Sequence, residues 1–172
     1  SQSGRILLLL LGFLLSWPVA AHPVATAHVQ AELIGETTAI QPGQPFWVAL
    51  RLQMRDGWHV YWRNPGDSGL APTLTWTLPA GFSAGEIQWP YPERIPVGPL
   101  MNFGYHGTVV LPVQIQPLSS LPDQDTFTLR ARADWLVCQE DCIPESADLE
   151  LTLPTQADPA PMDPRWNESF AT

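Results

Sequence analysis

Phe46-Trp47-Val48-Ala49-Leu50-Arg51-Leu52-Gln53-Met54 is the stretch whose reading decides the fold. Val48, Leu50, Leu52 and Met54 recur at every second position, with Arg51 and Gln53 between them, and a period of two sends alternate side chains to opposite faces of an extended strand. The stretch is a half-buried β-strand. Outward from it, similar runs occupy residues 27–33, 58–62, 73–78, 108–115, 126–133 and 147–153. Turn-forming clusters such as Gln41-Pro42-Gly43-Gln44, Arg55-Asp56-Gly57 and Asn64-Pro65-Gly66-Asp67 punctuate them. No segment sustains an apolar stripe of helical period through three turns. Seven or so short strands at this spacing predict an all-β antiparallel sandwich. Pro112 lies inside one apolar run and removes a ladder donor, so that strand is expected to meet an edge or a bulge there.

The two ends differ in composition from the middle. Arg5 precedes an apolar run over residues 6–17, followed by Pro18-Val19-Ala20-Ala21-His22. A charged start, a short apolar core and a small-residue cleavage site describe a signal peptide over residues 1–21. The run falls short of the ~20 apolar residues that a spanning helix wants. Residues 22–153 have the size of one domain. From Pro154 onward, Pro154, Pro159, Pro161 and Pro164 stand among Asp and Ala. Residues 154–172 therefore read as an extended linker with nothing to bury, leading toward a following domain that is not in this sequence. The formal charge is −9, and all eight basic residues are arginines. Nucleic acid and anionic lipid both demand a basic footprint, so neither is expected as a partner.

Cys138 and Cys142 are the only thiols. In the chain-entropy picture a ring of about 5 residues stabilises by roughly 2 kcal/mol, against about 4.7 for a loop of about 100. A bridge this short is a poor staple and reads first as chemistry that opens and closes. Three residues separate the pair, so the cysteines are able to face each other at a hairpin tip, where cross-strand Cα atoms approach to about 4.5 Å. The acids Glu140, Asp141 and Glu145 nearby disfavour a thiolate, which suits a relay dependent on a partner's activated cysteine. An inert hairpin bridge is the structural alternative.

Two other constellations compete with the cysteine pair. Gly66-Asp67-Ser68-Gly69 copies the tetrapeptide around a serine-protease nucleophile, but the chain is too short for the two barrels that place the base and its orienting carboxylate. A turn shaped by Pro65, Gly66 and Gly69 is the better reading. His28, His59 and His106, together with the cysteines, have the chemistry for Cu(I) or Zn, yet they are scattered singly rather than in close ligand pairs. No metal or cofactor is expected. Trp47, Trp76, Trp89 and Trp135 are read as rings that pack a core or line strand faces.

Three ordered segments carry a family resemblance. They are the run from Gly57-Trp58-His59-Val60-Tyr61-Trp62-Arg63-Asn64-Pro65-Gly66-Asp67-Ser68-Gly69, then Asn102-Phe103-Gly104-Tyr105 leading into Val109-Val110-Leu111-Pro112-Val113, then Cys142-Ile143-Pro144-Glu145. Together they resemble the N-terminal periplasmic domain of DsbD-type thiol:disulfide interchange proteins, in their ScsB-like branch. The resemblance implies an immunoglobulin-like antiparallel β-sandwich in the periplasm. It also implies a protein-disulfide reductase module that passes electrons from a membrane-embedded redox domain of the same protein to periplasmic substrates of thioredoxin fold. Carried over by position, Cys138 and Cys142 match the redox pair, with Cys142 forming the mixed disulfide. Phe103 matches an aromatic of a cap loop over the cysteines, and its glycine-rich segment offers it no strand face. His59 and Tyr61 match ring side chains beside the disulfide. Asn102 stands where the better-known members carry an acid, and their cysteines are further apart. A non-catalytic module that binds copper or a protein ligand and keeps a structural disulfide is the alternative.

Overall fold

The computed structural model describes residues 20–171, and the bulk of the expected signal peptide, residues 1–19, lies outside them. In chain order the strands are β1 (Ala20–Ala21), β2 (Val24–Ala25), β3 (Val29–Gly35), β4 (Phe46–Met54), β5 (His59–Gly66), β6 (Thr73–Thr77), β7 (Phe82–Ile87), β8 (Glu93–Val97), β9 (Leu100–His106), β10 (Thr108–Pro117), β11 (Thr126–Cys138) and β12 (Cys142–Pro154). One sheet runs β1-β12-β11-β5-β9-β8, with β6 also paired to β11, and the other runs β2-β3-β4-β10-β7. All pairings within the two sheets are antiparallel. This is the immunoglobulin-like β-sandwich.

The alternation in β4 does what its period requires. Val48, Leu50 and Leu52 stand opposite Val113, Leu111 and Val109 of β10, and all six are buried with Leu129, Leu149 and Leu151 of the facing sheet. Apolar area withdrawn from water in this layer is the main stabilising term, at about 25 cal/mol per Å². Pro112 sits within β10 opposite Ala49. The register of β10 with β7 shifts between Val113 and Ile115, and the Pro112 carbonyl accepts from Gln88 just past the end of β7. The proline's missing donor thus falls where the ladder is already ending, as the sequence suggested.

Three expectations are corrected. The Asn64-Pro65-Gly66 stretch continues β5 with an irregular register after Tyr61, so the turn begins only at Asp67. Residues 100–106, expected as a loop, form β9 between β5 and β8. The Pro-rich tail is extended but not idle. Its backbone bridges to Thr37 and Ile40, and Asp163 N–H donates to the Glu36 carbonyl at 2.7 Å. Arg51 lies over the Trp166 ring at 5.4 Å. The outward-facing Ile34 and Ala49 of β3 and β4 are fully buried, because the tail crosses that face of the sheet. At the other end, Ala20 and Ala21 pair with Thr152 and Leu151 of β12.

Candidate functional site at the β11–β12 hairpin

β11 and β12 form the longest hairpin of the fold, in register from Thr126 and Pro154 at its base to Cys138 and Cys142 at its tip. The two cysteines are bonded, with Cα atoms 4.1 Å apart. Alternation along the hairpin sorts its residues by face. Trp135, Val137 and Ala147 turn inward to the core, whereas Asp134, Leu136 and Cys138 turn outward with their register partners Ser146, Pro144 and Cys142. Glu145 is the partner of Trp135 and so faces inward as well. Its carboxylate takes His28 Nδ1 at 2.8 Å and the His28 backbone N–H at 3.1 Å. Of the three acids expected around the thiols, Glu145 is therefore across the sheet from them, and only Glu140 and Asp141 remain at the tip.

The two sulfurs sit in different surroundings. Cys138 is 1% exposed, while Cys142 is open to solvent. The cover over Cys138 comes from β5, whose His59 stands opposite Cys138. Tyr61 Oη donates a hydrogen bond to Cys138 Sγ at 3.1 Å and lies 3.7 Å from Cys142 Sγ. His59 Nε2 is 3.2 Å from the same hydroxyl, and the two rings meet edge to face at 5.1 Å. Burial raises the Tyr61 phenol above its ordinary range. Burial first, and the neighbouring His106 second, hold the His59 imidazole below the ordinary histidine value.

Over Tyr61 lies the loop that follows β5. A Cβ placed on Gly69 would stand 2.4 Å from the Tyr61 ring, and the backbone there has φ +98°. Only glycine permits so close an approach in that conformation. The loop is tied to β9 by Asn102, whose side chain is fully buried. Asn102 Oδ1 accepts from Ser68 N and Ser68 Oγ, and Asn102 Nδ2 donates to Ser68 Oγ. Asp67 adds a carboxylate bond to the Met101 N–H at 2.8 Å. Gly66-Asp67-Ser68-Gly69 is thus a covering loop with its serine hydroxyl engaged by an asparagine.

The structure brings His59 and Tyr61 to the disulfide, places Asn102 beneath the covering loop, and leaves Phe103 elsewhere. Tyr61 is paired with Gly104, so Phe103, one residue before, points to the opposite face of the sheet. Its ring packs against Trp62 at 6.3 Å and lines a cleft of about 920 Å³ with Trp89 and Tyr91. The expected contact between this aromatic and the cysteines is not made, because Phe103 belongs to a paired strand and not to a free loop. His28 and His106 are engaged with Glu145 and Glu93. Among the described residues no group of three His, Cys, Asp or Glu side chains is placed to hold a metal ion. Two partners of the site, Ser68 and Gly69, carry no sequence signal beyond a turn, since their contacts with Asn102 and Tyr61 join segments distant along the chain.

The disulfide thus stands at the tip of a hairpin on an immunoglobulin-like sandwich, with Cys138 buried and Cys142 exposed. The chain belongs to the family "Thiol:disulfide interchange protein DsbD, N-terminal", whose profile it matches over residues 29–154. Among solved structures it is similar to the N-terminal periplasmic domain of ScsB from Proteus mirabilis, at 26% identity and a TM-score of 0.64, over 90% of this chain and 59% of that one. It thus spans about three-fifths of that solved domain. It is also similar to the GAE domain of yeast GGA1, at 12% identity and a TM-score of 0.42, over 79% of this chain and 100% of that one. No match was found among the curated proteins.

Proposed function

We propose that this domain is a periplasmic protein-disulfide reductase module. It relays electrons from a membrane-embedded redox domain of the same protein to disulfide substrates of thioredoxin fold. Cys142 forms the mixed disulfide with each partner, and Cys138 closes on it to release the product. The observation that carries this reading is the inequality of the two sulfurs: an attacking thiolate needs access, and Cys142 is exposed while Cys138 is buried. The large cleft beside Phe103 has no part in it. A protein substrate docks on the hairpin tip and brings its own sulfur, so no enclosed small-molecule pocket is required.

The test is mixed-disulfide trapping with a thioredoxin-fold partner. Cys138→Ala should leave a Cys142 that accumulates the covalent complex, and Cys142→Ala should give none. Equal trapping by both variants, or capture through Cys138 alone, would reverse the assignment. A reduction potential below about −300 mV would mark the bridge as structural and sink the exchange reading altogether.

A further inference from the structure

We propose that Tyr61 and His59 form a proton path to Cys138, carrying away the proton that this thiol loses each time the disulfide closes. This rests on the exchange reading and gives each of the two rings a chemical role within it.

The need for a path follows from burial. Cys138 is 1% exposed, so no bulk water is positioned to take its proton. Among the described residues the polar hydrogen-bond partner of its sulfur is Tyr61 Oη, at 3.1 Å, and that oxygen is 3.2 Å from His59 Nε2. Beyond His59, toward the surface, stands the ring of His106, in edge-to-face contact at 5.4 Å centroid to centroid. His106 Nδ1 in turn pairs with Glu93 at 3.0 Å, both side chains being open to solvent. The ionisable groups set around His59 are therefore Tyr61 on its own strand, His106 on β9 with Glu93 of β8 behind it, and the cysteines of the β11–β12 hairpin, whose tip carries Glu140 and Asp141. His59 is held neutral by burial and by His106. A neutral imidazole keeps a free acceptor nitrogen at neutral pH, as a base requires.

In the mixed disulfide, Cys142 Sγ is bonded to the partner's sulfur and Cys138 is a thiol. Cys138 Sγ attacks Cys142 Sγ, the Cys138–Cys142 bond forms, and the bond from Cys142 to the partner breaks. Its electron pair leaves on the partner's sulfur as a thiolate, which takes a proton from solvent. The dithiol is oxidised and the partner's disulfide is reduced. In the thiol form the Tyr61 hydroxyl turns from the sulfur to donate to His59 Nε2 and accepts from Cys138 S–H, and as Cys138 attacks, its proton passes to Tyr61 Oη while the Tyr61 proton passes to His59 Nε2. Moving the two protons together avoids a free phenolate, which the raised phenol would resist. Opening of the disulfide runs the same path backward. Tyr61 then protonates the departing Cys138 thiolate, and His59 restores the Tyr61 proton.

Closure is measured on the reduced protein with a small aromatic disulfide, whose two thiolates appear in successive phases. The first reports attack by Cys142 and the second, unimolecular phase reports closure by Cys138. Tyr61→Phe and His59→Gln should each slow the second phase at neutral pH by at least about tenfold, below the range of about 10²–10⁴ that a fully placed acid–base group supplies. The defect should fade as pH rises past the ordinary thiol range near about 8.5, where Cys138 ionises without help. A slowing that is the same at every pH would mark both rings as structural supports and overturn the path, as would no slowing. In the unmodified protein, which avoids any folding defect of the variants, the second phase should show a curved dependence on deuterium fraction, and a linear or flat one would also overturn it. Loss of the first phase in the unmodified protein would instead count against the exchange reading itself.

Discussion

Asn102 and Ser68 are joined by three hydrogen bonds of 3.0–3.1 Å, two accepted by Asn102 Oδ1 and one donated by Nδ2. Through them a buried residue of β9 holds down the loop that covers the Tyr61 ring, and that ring in turn touches both sulfurs. The placement of the Tyr61 ring against the disulfide is therefore tied to an amide side chain that never meets it.

Asn102→Ala should release this tether. The Ser68 N–H loses its acceptor, at a cost of about 1–3 kcal/mol if the loop stays closed over it. If the loop lifts, the disulfide should be reduced faster by a small thiol, since access to the sulfur limits exchange. Denaturant unfolding and reduction kinetics measured together should show at least one of these changes. A variant unchanged in both would show that the Asn102 bonds do not govern the cover.

Gly69→Ala should act at the same place by steric force. Its new methyl meets the Tyr61 ring at 2.4 Å in a backbone conformation of φ +98°, so the loop or the ring must move and the Tyr61–Cys138 hydrogen bond should weaken. Gly98→Ala is the matched control, because its φ is +57° and nothing lies within 4 Å of the new carbon. It should show only the modest backbone cost of a left-handed alanine, about 1–2 kcal/mol, with disulfide reduction unchanged. Equal effects of the two on reduction kinetics would argue against the contact with Tyr61.

Phe103→Ala should leave the rate of disulfide reduction unchanged, because its ring lies on the opposite face of the sheet against Trp62. The stability loss should fall below the about 3–5 kcal/mol of a core phenylalanine, since the ring is only half-buried. A marked acceleration of reduction would restore Phe103 as a cap and require a loop conformation different from β9.

Stability should fall as the solution is acidified through the histidine range. His59 is held below its ordinary value of 6.5 by burial and by His106, so the unfolded chain binds more protons than the folded one in that window. The contribution is complete above the unfolded value and is lost as pH falls toward the folded one. Thermal unfolding followed from about pH 7.5 to about pH 5 should show a declining Tm, and His59→Gln should flatten that decline. An identical slope in the variant would assign the acid sensitivity to other groups.

Much of the sandwich is legible in the order of the residues alone. A period of two survives wherever the side chains of one face are consistently more buried than those of the other, which is why β4, β6 and β10 emerge nearly in full. The same rule explains the failures. The alternation marks β11 only as far as residue 133, whereas the strand runs to Cys138, because Leu136 and Cys138 are apolar on the outward face as well and erase the pattern. β9 alternates as well, with Met101, Phe103 and Tyr105 on one face and Asn102, Gly104 and His106 on the other, but Gly104 and Gly107 read as loop residues and hide the strand. Gly104 is there for closeness, a Cβ at that position falling 2.0 Å from the Val60 carbonyl.

By itself the sequence determined an all-β chain with a cysteine pair on a short ring, and placed His59 and Tyr61 beside it. Those conclusions rest on side-chain period, turn residues, the span of a three-residue loop and, for the two rings, the family resemblance. Only the tertiary structure decided which sulfur is buried, that Glu145 turns away to His28, that Phe103 faces the opposite cleft, and that the tail is bound to the sandwich. Each of these depends on strand register and on which face of a sheet another segment covers. A shift of one residue exchanges the two faces of a strand, and nothing in a linear pattern fixes that choice for strands whose two faces are equally apolar or equally polar.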